Sequence, residues 1–240
     1  MTGLILAAGY ATRLYPLTRD TSKGLLDVGG KPMVDWVLAA LRTIPELDDV
    51  YLVTNAKFAE QFRAWAPAGV QVVDDRTESD EGRLGAIGDI GFVLDHAGID
   101  DDLVVIAFDN LFTASLEGFG AFARERGSPV LAVHDIGDPA LISRYNTTEV
   151  DGEGRITHFE EKPARARSTL AGIALYYYRS EALPLIRRYL AEGENPDQPG
   201  RLVQWMYRKV PFYAWQLPGE WYDIGALEQL EEARAAFGSK

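Results

Sequence analysis

Three groups of residues in this chain have side chains suited to chemistry. They are a glycine-containing loop with cations beside it, a pair of distant aspartates, and an adjacent glutamate and lysine. The segment Leu6-Ala7-Ala8-Gly9-Tyr10-Ala11-Thr12-Arg13-Leu14 leaves an apolar run and enters a loop. Small residues at Ala8, Gly9, Ala11 and Thr12 let backbone N–H groups approach anionic oxygens, and Arg13 and Lys23 add charge-assisted contacts. An ordinary strand-to-helix turn would carry the same small residues. Asp109 follows the apolar run Leu103–Ile106, and the carboxyl end of a strand is where open α/β sheets bind ligands. An aspartate there can also cap a helix. Asp223, within Trp221-Tyr222-Asp223-Ile224-Gly225, reads by itself as a turn residue, and Phe159-Glu160-Glu161-Lys162-Pro163 as a charged strand end with a turn. His96, His134 and His158 show no metal-ligand spacing and are assigned structural or surface roles.

These residues need a scaffold. Gly3–Ala7 has the continuous apolar character of a central parallel strand. Pro32 opens a helix with apolar positions at Val34, Val37, Leu38 and Leu41. Strands are expected at 50–54, 70–73 and 103–106, and helices at 57–66 and 84–94. This alternation predicts an α/β fold with a Rossmann-like, doubly wound, mixed but mostly parallel sheet. Strands are also expected at 129–134, 146–150, 155–160, 171–178 and 210–216. Helices are expected at 180–191, 202–207 and 226–237. Asp151-Gly152-Glu153-Gly154 is a hairpin turn. Tyr176-Tyr177-Tyr178 reads as alternating core and pocket wall, and Asp100-Asp101-Asp102 as a solvated loop. No linker interrupts the chain, so a single domain over 1–240 is expected, with a second lobe that covers the substrate.

The composition narrows the function classes. A formal net charge of -12 repels nucleic acid and anionic membranes, so neither is an expected partner. The absence of cysteine removes thiolate chemistry and Cys-ligated zinc and fits a reducing, cytoplasmic location. The start has no basic n-region, and its apolar run is too short to span a bilayer. The oligomeric state, including a homo-oligomer, stays open. A G-x-G-x-x-G fingerprint is absent because Ala11 and Leu14 stand at the later glycine positions, and no G-x-x-x-x-G-K-[ST] loop is present.

The segment Leu6 to Thr18, followed by Lys23, Leu25, Leu26, Val28 and Gly30-Lys31-Pro32, resembles the signature of the sugar-1-phosphate nucleotidylyltransferases. Glucose-1-phosphate thymidylyl- and uridylyltransferases carry L-A-A-G-x-G-T-R-L-x-P-L-T followed by P-K. Asp109-Asn110 is similar to that family's G-D-N motif and Trp221–Gly225 to its W-x-D-x-G-T motif. Glu160-Glu161-Lys162-Pro163 is similar to E-E-K-P, and Ala171–Tyr176 to the T-G-L-Y-F strand. The resemblance spans Leu4 to Leu230. It implies a nucleotide-diphospho-sugar transferase type of fold, with a nucleotide-binding half over about 1–110 and a sugar-binding half over about 111–240. It also implies transfer of a nucleoside monophosphate from a nucleoside triphosphate to a sugar 1-phosphate. By this resemblance Arg13, Lys23 and Lys162 are catalytic, Asp109 and Asp223 hold Mg²⁺, and Ala8, Gly9, Ala11, Thr12, Asn110, Glu161 and Gly172 bind substrate. Arg144 is a further phosphate contact or a surface arginine. In thymidylyl relatives a glutamine after the third strand reads the pyrimidine. The corresponding stretch, 76–85, offers no clear equivalent, and Gly82 and Arg83 are the residues assigned to the base or ribose.

The chain departs from the pattern at Ala11 for glycine, Ser22 for proline, Phe108 for glycine and Ala226 for threonine. Alanine disfavours a positive φ, loss of proline loosens the loop before Lys23, and a ring at 108 is expected to reshape or block the sugar pocket. Ala11, Ser22 and Phe108 motivate an alternative reading, a weak or inactive homologue that binds sugar nucleotide and regulates a partner.

Overall fold

Burial alternates between two cores along the first strand, with Leu4 and Leu6 facing one and Ile5 and Ala7 the other. A strand buried on both sides must be central, and that fixes the layering. The computed structural model describes residues 1–238. In chain order its elements begin with β1 (Thr2–Leu6), β2 (Asp27–Val28), β3 (Lys31–Pro32), α1 (Met33–Leu41), β4 (Asp49–Thr54), α2 (Ala59–Trp65), β5 (Val70–Asp74) and α3 (Ala86–His96). Then come β6 (Leu103–Ala107), β7 (Asn110–Phe112), α4 (Glu117–Arg126), β8 (Val130–Asp135), β9 (Asn146–Val150), β10 (Ile156–Glu161) and β11 (Leu170–Tyr178). The chain closes with α5 (Leu183–Ala191), α6 (Pro199–Met206), β12 (Tyr213–Gln216), β13 (Trp221–Asp223) and α7 (Leu227–Gly238).

The main sheet has seven strands in the order β12-β8-β11-β6-β1-β4-β5. β6, β1, β4 and β5 pair in parallel, β11 runs antiparallel to both β6 and β8, and β12 lies parallel to β8. The expected mixed, mostly parallel sheet is therefore present. Helices α1, α2, α4 and α7 cover one face through Val37, Phe62, Phe119 and Leu230. Helices α3, α5 and α6 cover the other through Ile90, Ile186 and Leu202.

Some elements escape the sequence pattern. α4 is one: Gly118 and Gly120 lower its helix propensity. Gly120 has a packing reason, since a Cβ there would stand 2.8 Å from Ile44 Cγ2. The ladders β2–β3 and β7–β13 are too short to show periodicity. The acidic run before β6 is no simple solvated loop. Asp102 accepts hydrogen bonds from Tyr177 Oη at 2.5 Å and Ser180 N at 2.9 Å, and Asp101 pairs with the Met1 ammonium at 2.5 Å.

Candidate active site

A cleft of about 640 Å³ opens over the carboxyl ends of β1 and β6. Its walls include Ala8, Gly9, Ala11, Thr12 and Arg13 from the first loop, then Lys23, Asp109, Asn110, Glu161, Lys162, Gly172 and Asp223. Residues separated by two hundred positions in the chain thus meet on one surface. Of the residues assigned to the site from the sequence, Gly82 alone does not line it; Arg83 and Gly85 do. The sequence pattern gave no signal for Tyr10, Asp89, Tyr145, Asn146 and Gln198, which also line it. Tyr10, Tyr145 and Gln198 stand outside the strands and helices, while Asp89 in α3 and Asn146 at the start of β9 are polar positions that the apolar pattern of their elements does not mark.

The short β7–β13 ladder brings the aspartates together. Asn110 lies opposite Asp223, and Ile224 N donates to Asp109 O at 3.0 Å. Asn110 Nδ2 donates to Asp109 Oδ1 at 3.0 Å, and Trp221 Nε1 donates to Asn110 Oδ1 at 2.8 Å. Buried Lys23 donates to Asp109 Oδ2 at 2.7 Å and to Ile224 O at 2.6 Å. Burial and then the Asp109 charge push the Asp223 carboxyl up to about 6, while Lys23 and Arg13 oppose the rise. Lys23 pairs with Asp109, and Asp223 has no ion-pair partner within 4.0 Å among the described residues. Arg13 and Lys162 have no carboxylate partner within 4.0 Å among the described residues, which leaves both cations for a ligand.

At the other end of the cleft, burial raises Glu161 to about 7 against the pull of Lys162 and Arg201. Its N–H donates to Gln204 Oε1 at 2.8 Å. α6 approaches so closely that a Cβ on Gly200 would stand 1.8 Å from Glu161 Oε2. Lys162 has φ 48 and donates its N–H to Tyr145 O at 2.8 Å, a left-handed backbone that such sites commonly hold at a cost. Gly172 lines the cleft, but Asn146 takes both its backbone groups. Gly172 N donates to Asn146 Oδ1 at 2.6 Å, and Asn146 Nδ2 donates to Gly172 O at 2.9 Å.

Three of the four departures from the family pattern, Ala11, Ser22 and Phe108, are accommodated. Ala11 does adopt a positive φ, 48°, at a cost of roughly 1–2 kcal/mol. Thr18 Oγ1 and Leu14 N both donate to its carbonyl and hold it there. Ser22 does not loosen its loop: it keeps a proline-like φ of -59°, its N–H donates to Gln61 Oε1 at 3.1 Å, and its Oγ accepts from Gly24 N. Phe108 lines the cleft, which stays open at about 640 Å³. It is buried in the core that contains Phe62, its ring stands 3.0 Å from where a Gly24 Cβ would be, and Lys23 Nζ lies 5.3 Å from the ring centroid. The ring thus backs the lysine. With the three motivating residues explained, the inactive-homologue alternative loses its structural ground.

Residues 2–240 match the family model described as nucleotidyl transferase. The chain is 30% identical to the glucose-1-phosphate thymidylyltransferase of Neisseria meningitidis, covering 97% of this chain and 81% of that one. It is 29% identical to the UTP–glucose-1-phosphate uridylyltransferase of Synechocystis sp., covering 97% of this chain and 62% of that longer relative. A solved UDP-glucose pyrophosphorylase complexed with UDP-glucose superposes with a TM-score of 0.85 over 99% of this chain and 98% of that one; at 19% identity this is a likeness of fold. With the family model matched over residues 2–240, the chain belongs to the nucleotidyl transferases.

Proposed function

We propose that this chain joins a nucleoside triphosphate to a sugar 1-phosphate, giving a nucleoside diphosphate sugar and pyrophosphate. The observation that carries the reading is the convergence of Asp109 and Asp223 in one cleft, between the small-residue loop with Arg13 and the Glu161-Lys162 pair. A phosphate oxygen of the sugar phosphate attacks the α-phosphorus in line, a new P–O bond forms, and the bond to pyrophosphate breaks. No covalent intermediate on the protein is needed, so catalysis rests on positioning and charge.

Loop N–H groups and Arg13 hold the triphosphate and stabilise the charge that builds on the α-phosphoryl oxygens. Lys162 fixes the attacking phosphate, and Glu161 accepts hydrogen bonds from sugar hydroxyls. Lys23 shares the stabilising role of Arg13. The donor set of two carboxylates, only one of them paired with a cation, suits a hard divalent cation such as Mg²⁺, which prefers oxygen ligands and keeps several waters. Asp109 and Asp223 would hold it, and it would supply further charge neutralisation at the phosphates. Among the described residues no group of three or more His, Cys, Asp or Glu could hold a metal, so substrate or water oxygens would supply the remaining ligands. The nucleotide lies over about 1–110 and the sugar over about 111–240. A reducing, cytoplasmic setting fits a chain without cysteine; no helix among the described residues is long and apolar enough to cross a membrane.

The test is pyrophosphate release with each common nucleoside triphosphate against a panel of sugar 1-phosphates, with Mg²⁺. Turnover for at least one pair is expected. Tight product binding with no turnover anywhere in the matrix would favour the regulatory alternative.

A further inference from the structure

Deep at one end of the cleft, two acids lie together with no cation against them. Asp89, in the first turns of α3, is 5% exposed and lines the cleft; Asp75, just past β5, is 4% exposed. Asp75 Oδ1 accepts from Thr77 N at 2.7 Å and Thr77 Oγ1 at 2.8 Å. Asp75 Oδ2 and Asp89 Oδ1 are buried and find no donor among the described residues. Burial, and then the charge of Asp75, push the Asp89 carboxyl up to about 8. The nearby cation Arg83 is already bound to Asp80 at 2.6 Å and Asp197 at 3.2 Å. Tyr10, on the small-residue loop, donates its hydroxyl to Thr77 O at 3.0 Å and so ties the pair to the phosphate-facing loop. A buried acid pair without a cation is costly to keep.

The sheet order says what should lie there, given the proposed reaction. Going from β11 through β6 to β1, the cleft passes Gly172, then Asp109, then the small-residue loop; beyond β4, Asp75 just past β5 lies buried beside the cleft-lining Asp89. Four strand intervals span roughly 19 Å, enough for a sugar, its phosphates and a nucleoside laid end to end. With Glu161 and Lys162 at the sugar end, the acid pair falls at the nucleobase. Cytosine, adenine and guanine each present an exocyclic amine, which a carboxyl oxygen accepts from. Uracil and thymine present carbonyl oxygens on either side of a single N–H, and those oxygens would face acceptors.

We propose that the Asp75–Asp89 pair selects a nucleobase bearing an exocyclic amine, so that this chain uses cytidine, adenosine or guanosine triphosphate in preference to uridine or thymidine triphosphate. The inference rests on the function proposed above. It sets this chain apart from the relatives named for uridine and thymidine.

The experiment is equilibrium binding of ATP, GTP, CTP, UTP and dTTP to the whole chain with Mg²⁺. Wild type is expected to bind at least one amine-bearing triphosphate about tenfold or more tighter than UTP and dTTP. In Asp89→Leu that ratio collapses towards one. In Asp89→Asn it survives, because the amide donates to Asp75 and keeps an acceptor oxygen. A role in folding alone would shift all five affinities together or lower the melting temperature, leaving the ratio intact, and that result overturns the proposal. So does equal or tighter binding of UTP or dTTP by wild type, a result that needs no variant to fold. Failure of every triphosphate to bind would instead overturn the underlying reaction.

Discussion

Lys23 is held by its surroundings on every side: a carboxylate, a carbonyl and the face of Phe108. Removing the Asp109 carboxyl outright leaves a buried ammonium short of its ion partner, which costs several kcal/mol of stability as well as activity. Asp109→Asn separates the two, because the amide oxygen still accepts from Lys23. Arg13 is the simpler probe: it is exposed in the cleft and carries no ion pair among the described residues. Arg13→Ala and Asp109→Asn are each expected to lower kcat/KM for pyrophosphate release by about 10²–10³, with circular dichroism melts close to wild type. Wild-type rates in both would remove the charge-stabilising role assigned to this corner. The conformation of Ala11 carries the same lesson at the backbone. A glycine position in the family pattern is here a true left-handed residue, and the fold holds an alanine there by hydrogen bonds to its carbonyl.

Single elements carry strain that only their neighbours explain. α3 has an acid in its interior-facing first turns, and its N-terminus docks on the 195–198 loop, with Ile87 N donating to Pro196 O at 2.8 Å. Asp89 is raised from 3.8 to about 8 by burial and by Asp75, and Asp75 is raised in the same direction. The folded chain therefore holds protons that the unfolded chain releases above about pH 4. The stability tied to the protonated form is fully present below that pH and is lost as pH rises through about 8. Urea unfolding of wild type is expected to weaken across this window by up to about 1.4 kcal/mol per pH unit. Asp89→Asn should flatten that slope and exceed wild type in stability near pH 8. A slope unchanged by Asp89→Asn would show that the proton resides elsewhere.

Across the whole molecule, one continuous sheet joins the halves, and helices on both faces give it two cores. No metal is needed to close either core. The aspartates at 109 and 223 are already drawn together by the β7–β13 ladder and by Lys23. A chelator such as EDTA is therefore expected to abolish pyrophosphate release and leave the thermal unfolding midpoint unchanged, with Mg²⁺ restoring turnover. A large drop in the midpoint on chelation would assign the cation a structural role instead.

The order of strands and helices was legible in the residues, because period and glycine placement are local properties of a chain; the small-residue loop and the two aspartates were singled out only through the resemblance of their motifs to a known family. The helix at 117–126 and the three-residue strands beside each aspartate were not, since glycines chosen for close packing and ladders of two or three pairs leave no periodic trace. Where Phe108 puts its ring, why Ser22 keeps its loop firm and that Asp75 meets Asp89 depend on partners remote in sequence. Those contacts exist only once the sheet has set its strands side by side, so burial and charge at these positions are decided by the tertiary structure alone.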